Sequence, residues 1–337
     1  MSPKKKSEVL TINRTIEKPI THWLSTGCTL LDLAIANRLP GGFPAGRVSH
    51  VYGWESSAKT VLGQEPLGSA QRQNGLIWFL DAEQTLDWKR AKDLFGIDTD
   101  SDTFHYGVPE SIEKLFDFYL HGALKEIVKR EKYTCPNALA LDSLSALPSE
   151  AELNQELVEN TYGMTRAKQI STSYRKYLLA INDANLALIM INQARTKVSP
   201  MAFGDKMTVS GGKALDFYAS VSVCMKNVGK IGNSKKQCIG NIFEFKIVKN
   251  KVAPPYRKGQ LYLIYDYGID DVRTSIHWLK DIRETTSYEI NNQSFKSIND
   301  AIAYVEGENL EEALRNEVVT VWNDIYKPED RKPKVRV

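Results

Sequence analysis

The sequence predicts an α/β fold: a mostly parallel central sheet with helices on both faces, a short N-terminal arm and a small α+β C-terminal lobe. Three observations predict it. Short apolar runs ending in polar residues alternate with segments whose apolar residues recur every three or four positions, the pattern of strands joined by crossover helices. Later apolar runs lie closer together, which reads as an antiparallel extension of the same sheet. Past residue 270 the pattern becomes helical, which sets off a terminal lobe.

In chain order, residues 1–24 are polar and interrupted by Pro3 and Pro19, which suits an extended arm; residues 9–12 could form one short strand. The core is assigned to residues 25–268. Its expected strands are 47–52, 76–80, 138–141, 186–191, 221–225, 242–248 and 261–265, and segments such as 111–131 and 162–182 have helical spacing. The remainder, 269–337, is expected to be helical at 298–306 and 310–326.

With 42% apolar and 25% charged residues in 337, the chain has an ordinary globular composition. Runs such as 76–80 are far below the roughly 20 apolar residues that cross a bilayer, so no membrane partner is expected. No apolar stretch follows Lys4, Lys5 and Lys6, so a secretory signal is not expected either. Cys28, Cys135, Cys224 and Cys238 lie far apart with no CxxC pair, which argues against zinc and for a reducing interior, the cytoplasm. His22, His50, His105, His121 and His277 are scattered, and each reads as a packed or surface residue. A net charge of +3 is too small to identify a nucleic-acid partner; the basic runs at 4–6, 226–236 and 331–336 read as solvated segments.

The decisive segment is Gly53, Trp54, Glu55, Ser56, Ser57, Ala58, Lys59 and Thr60, directly after an apolar run. A strand, a tight loop and Lys-Thr opening a helix form a phosphate cradle. Main-chain amides surround the phosphates, Lys59 reaches the β and γ groups, and Thr60 ligates Mg²⁺. The general pattern has glycine where this chain has Ala58. If that backbone needs φ > 0, the extra Cβ costs about 1–2 kcal/mol.

Three strand ends complete the pattern. Run 76–80 leads into Asp81, Ala82 and Glu83, where Glu83 is the candidate to orient a water for phosphoryl transfer. Run 138–141 ends in Asp142, a candidate for the Mg²⁺ shell. Run 186–191 ends in Asn192 and Gln193, whose amide could bond a γ-phosphate. Any one of these commonly just caps a turn; four at the carboxyl edge of one sheet, where ligands bind in open α/β folds, is not common. Residues 194–213 then form a Gly-, Ser- and Thr-rich loop bearing Arg195, Lys197, Phe203, Lys206, Gly211, Gly212 and Lys213. Such a loop can track the phosphates of a single strand while a ring contacts bases, and its start beside Gln193 lifts it above a merely solvated loop. Lys249 and Lys251 straddle one residue and point the same way on an extended chain.

Together these residues resemble the RecA family of recombinases over residues 24–267. The matching blocks are 25–27 with Leu31 and Asp32, 39–47, 52–60, 79–86, 141–147, 191–193, 211–220 and 248–254. Residues 164–168 are more similar to phage recombinases of the UvsX type than to bacterial members. The resemblance implies a RecA-like P-loop ATPase core that binds ATP and Mg²⁺, forms a helical homo-oligomeric filament on single-stranded DNA and exchanges strands with duplex DNA. Single-strand-binding and loader proteins are further implied partners. Glu83 is then the catalytic carboxylate and Gln193 the γ-phosphate sensor, while Lys249 and Lys251 reach the neighbour's ATP and Phe217 inserts into the next subunit. Residues 156–166, with Arg166, and 194–213 are the DNA loops; the arm docks onto a neighbour and the basic-tailed lobe handles duplex DNA. Asp87 and Arg90 fall at the nucleotide's base. Arg90 stands where bacterial members carry an aromatic, and Trp88 is another stacking candidate. Pro66 is expected to kink or shorten the helix after the phosphate loop. Asp216 and Ser222 replace basic residues, the arm is shorter than usual, and a basic tail replaces an acidic one. Two other readings are a RecA-fold accessory protein that binds ATP and DNA without exchange, and a hexameric helicase; the block at 211–220 and the paired lysines speak against the helicase.

Overall fold

A computed structural model describes residues 19–153, 162–196, 207–209, 212–233, 235 and 237–327. The strand expected at 9–12 lies outside the described residues. Strand β1 (Trp23–Leu24) pairs antiparallel with β2 (Phe43–Pro44), with helix α1 (Thr29–Ala36) between them in the chain. Next come β3 (Val48–Gly53), α2 (Lys59–Arg72), β4 (Ile77–Asp81), α3 (Trp88–Phe95) and β5 (Phe104–Gly107). The stretch expected at 111–131 is helical: α4 (Ile112–Lys114), a π-helical segment Leu115–Leu120 and α5 (His121–Lys129). Strand β6 (Asn137–Asp142), α6 (Glu150–Leu153), α7 (Tyr162–Asp183), β7 (Leu186–Thr196), β8 (Met207–Val209) and α8 (Gly212–Tyr218) follow. The long hairpin β9 (Val221–Gly232) and β10 (Cys238–Asn250) leads to β11 (Lys258–Ile264) and β12 (Gly268–Ile269). Last come α9 (Asp271–Arg283), β13 (Tyr288–Ile290), β14 (Gln293–Phe295), α10 (Ile298–Gly307) and α11 (Glu311–Ile325).

The main sheet has the order β12-β11-β10-β9-β3-β7-β6-β4-β5, with β8 beside the end of β7. From β9 to β5 the pairings are parallel; from β9 to β12 they are antiparallel, as the crowded later runs predict. The central strands are buried on both faces, which is why they read as continuous apolar runs. Alternate residues serve the two faces. Ile77, Phe79, Ala138, Ala140 and Ile189 join the core under α1 and α2, whereas Trp78, Leu80, Leu139, Leu141 and Leu188 join the one under α5 and α7.

The shortening expected at Pro66 does not occur. Helix α2 runs through Pro66 without interruption or shortening. It is held by burial of Leu62 and Leu67 and by Gly68, where a Cβ would lie 2.1 Å from the Phe95 carbonyl oxygen. That close packing outweighs the one hydrogen bond that proline cannot donate.

Residues beyond Asp270 share the α1-side core: Ile276, Leu279, Ile302, Val318 and Trp322 belong to the same cluster as Leu30 and Leu33. Polar contacts follow the same seam. Asp271 accepts from the Thr29 amide and hydroxyl, both at 2.7 Å, and Trp322 Nε1 donates to Asn37 Oδ1 at 3.1 Å.

Candidate nucleotide-binding site

The parallel register sets the site. It places Gly53 beside Gln193 and Asp81 beside Asp142, so β3, β4, β6 and β7 end on one edge of the sheet. Gly53 is required there, because a Cβ would lie 2.3 Å from the Met225 carbonyl oxygen of β9. In the loop that follows, Ser56 (φ 52°) and Ala58 (φ 60°, ψ 18°) adopt the left-handed conformation. Such turns aim successive amides into one concavity that suits an anion. Ser57 Oγ and Lys59 Nζ both donate to the Trp54 carbonyl at 2.7 Å, which braces the loop. Lys59 is buried, and burial lowers its pKa against the opposing pull of Asp142, Glu83 and Glu55.

Thr60 Oγ1 donates to Asp142 Oδ2 at 2.5 Å. Burial pushes the Asp142 carboxyl up to about 6, opposed by the Thr60 hydrogen bond and assisted by the charges of Glu83 and Asp81. Glu83 hangs over the same spot, since the Ala82 and Glu83 amides donate to the Asp142 carbonyl at 2.7 and 3.3 Å. Its Oε1 accepts from Ser143 Oγ at 2.5 Å and from Gln193 Nε2 at 3.1 Å. Thus Lys59, Thr60, Glu83, Asp142 and Gln193 converge.

Sequence reasoning missed three supporting residues. Ser143 orients Glu83, and Ser145 Oγ accepts from the Gln193 amide at 3.2 Å. Buried Asp81 accepts from the Thr85 and Leu86 amides at 3.1 and 2.8 Å and from the Tyr106 hydroxyl at 3.3 Å, which shapes the loop carrying Glu83. The Ser-x-Ser directly after Asp142 was the available signal for the first pair; Asp81 carried none, because its partners close a loop.

Other expected residues stand apart. Asp87 caps α3, accepting from the Arg90 amide at 3.0 Å, and Arg90 is exposed. Trp88 packs its ring on Phe104 and Tyr106, with centroids 5.9 and 4.9 Å away. Lys249 Nζ donates to the carbonyls of Asp216 and Phe217, the latter at 3.0 Å, and Lys251 Nζ to that of Phe217 at 3.4 Å. Both lysines therefore hold the C-terminal end of α8. Phe217 itself is 70% exposed. Arg166 is half-buried, its Nη2 donating to the Leu144 and Leu147 carbonyls at 3.2 and 2.6 Å. The two expected loops are corrected in part. Residues 194–196, with exposed Arg195, extend β7 and pair with β8 at 207–209. Gly212 and Lys213 open α8, and residues 162–166 open α7, whereas Lys197, Phe203, Lys206 and Gly211 lie outside the described residues. Among the described residues, no helix is long and apolar enough to cross a membrane.

The family model described as the RecA N-terminal domain matches residues 5–270. Curated relatives named Protein RecA are similar over most of the chain. That of Nocardioides sp. (strain ATCC BAA-499 / JS614) is 35% identical over 268 residues, covering 78% of this chain and 70% of its own. That of a Nitratiruptor species is 35% identical, covering 73% and 67%, and that of Mycobacterium ulcerans (strain Agy99) is 35% identical, covering 78% and 71%.

Proposed function

The chain belongs to the RecA family, and on that premise we propose that it is a recombinase whose ATP site is the convergence of residues 53–60 with Glu83, Asp142 and Gln193. The activity is DNA-dependent ATP hydrolysis coupled to homologous pairing and strand exchange; the accessory and helicase readings are not favoured.

The residues present fit a magnesium nucleotide. Left-handed turns at Ser56 and Ala58 cup the loop amides, and Lys59 Nζ donates to a carbonyl and a hydroxyl of its own loop. Thr60 and Asp142 put two hard oxygen ligands side by side, the donor type Mg²⁺ takes, and a cation there favours the ionised form of a buried carboxyl. When bound, the ion neutralises charge on the phosphate oxygens. In this chain's own part, the amides and Lys59 hold phosphate charge, and Glu83 orients a water and takes its proton. Gln193, bonded to Glu83 at the root of the 194–213 loop, links the site to DNA. Lys249 and Lys251 leave the end of α8 to close over the neighbour's nucleotide, so the site is complete only in a filament. Arg90 or Trp88 flanks the base, the loops at 156–166 and 194–213 grip single-stranded DNA, and residues 269–337 handle the duplex.

One observation carries this reading: Glu83 Oε1, braced by Ser143 and Gln193, stands beside the Thr60–Asp142 pair. Glu83→Gln is expected to keep ATP and single-stranded DNA binding while turnover falls about a hundredfold or more, measured with a three-strand exchange assay on the wild type. Undiminished hydrolysis in the variant removes Glu83 from its role.

A further inference from the structure

His50 stands in β3, fully buried and three residues before Gly53. Its register neighbours, Met190 on β7 and Ser222 on β9, carry no charge. Its ring stacks on Tyr52 with centroids 4.8 Å apart, and its Nδ1 lies 3.3 Å from Asp216 Oδ1 on α8. His50 Nε2 and Ser222 Oγ are buried without a hydrogen-bond partner among the described residues, so Asp216 is the polar anchor of this ring. An ionised carboxylate can only accept, which puts the proton on Nδ1.

The placement of this contact gives it a use. Helix α8, from Gly212, takes in the last two residues of the 194–213 segment, and β3 runs into the phosphate loop. Lys249 and Lys251 hold the main chain at the end of α8, but His50 ties its side chain directly to the strand that turns at Gly53. A rotation of α8 must stretch or break that bond, and packed β3 has little freedom to follow.

We propose that His50 and Asp216 are a positioning pair, which passes the state of the 194–213 loop through α8 to the phosphate loop and so sets how strongly DNA stimulates ATP hydrolysis. This rests on the recombinase reading above. Neither residue is among those assigned above to nucleotide or DNA; the pair supplies coupling between the two sites.

The test uses the full chain, with ATP turnover measured with and without oligo-dT, KM for ATP, and DNA binding by anisotropy. Asp216→Ala removes the acceptor from a side chain that is 52% exposed, so the fold is retained. His50→Leu removes the donor. His50→Asn keeps an N–H donor where Nδ1 stands. In Asp216→Ala and His50→Leu the DNA-stimulated kcat is expected to fall about fivefold or more, with basal turnover, KM and DNA affinity within about twofold of wild type. His50→Asn is expected to restore most of the stimulation. Full stimulation in Asp216→Ala overturns the proposal even if the His50 variants fail to fold, and so does an equal loss in His50→Asn and His50→Leu, which marks a packing role only. A wild-type enzyme indifferent to DNA overturns the recombinase reading itself, and the proposal with it.

Discussion

Ala58 combines a side chain with a backbone at φ 60°, where a Cβ costs about 1–2 kcal/mol. The sequence exposes the missing glycine, and the structure supplies the conformation that makes it matter. Ala58→Gly is expected to stabilise the protein by about 1 kcal/mol, a rise of roughly 2–4 °C in thermal unfolding. An unchanged or lower midpoint contradicts strain at this turn. Glu65 could not be read in the same way. It is a polar residue on α2 that the chain turns inward against the segment around Gly27, and burial pushes its pKa from 4.5 to about 8. The folded protein therefore takes up a proton that the unfolded chain releases above about 4.5, so stability from this group is full at the acid end and is lost as pH rises towards 8. Glu65→Gln should raise the melting temperature by several degrees at pH 8 and change it little at pH 5; the same shift at both pH values refutes the linkage. His50 and Asp216 were equally hidden, since their contact joins positions 166 residues apart.

At the scale of elements, each of the seven apolar runs coincides with a strand, with Arg47, Leu76 and Tyr265 falling one residue outside; the central parallel strands read as apolar because both of their faces are covered. The exposed half of the β9–β10 hairpin, where Val228 and Ile231 are scattered among polar residues and glycines from Lys226 to Gly232, extends beyond what apolarity reveals. Two-residue β1, β2 and β12 leave no periodic trace, and β5 was missed because it is four residues of mixed character at the sheet's margin. Convergence at the candidate site was legible because parallel strands bring their carboxyl ends to one edge, whereas the serines bracing Glu83 and Gln193 depend on a turn after β6. Helix α2 shows the opposite failure, a local rule overridden by packing. A proline inside a helix costs about 3 kcal/mol, yet α2 continues through Pro66. Pro66→Ala is expected to raise the unfolding midpoint by several degrees, with far-UV circular dichroism unchanged; a destabilised variant means the ring's packing matters more than the missing N–H.

For the whole molecule, the α1-side core runs without a break from the sheet to Trp322, and Arg257 lies over the Trp322 and Tyr326 rings at 5.2 and 4.7 Å. Helical periodicity after residue 270 predicts those helices but not which surface they cover, because that depends on α1, far earlier in the chain. Trp322→Ala is expected to cost about 3–5 kcal/mol and to shift the entire unfolding transition in calorimetry. A separate early transition for the last helices, with the rest unaffected, contradicts a shared core. The main sheet ends in the four-residue β5 on one side and the two-residue β12 on the other. Such stubs give an intruding strand almost no rungs on which to zip. Edges this short leave little exposed backbone along which the sheets of two molecules could fuse into an amyloid-like stack.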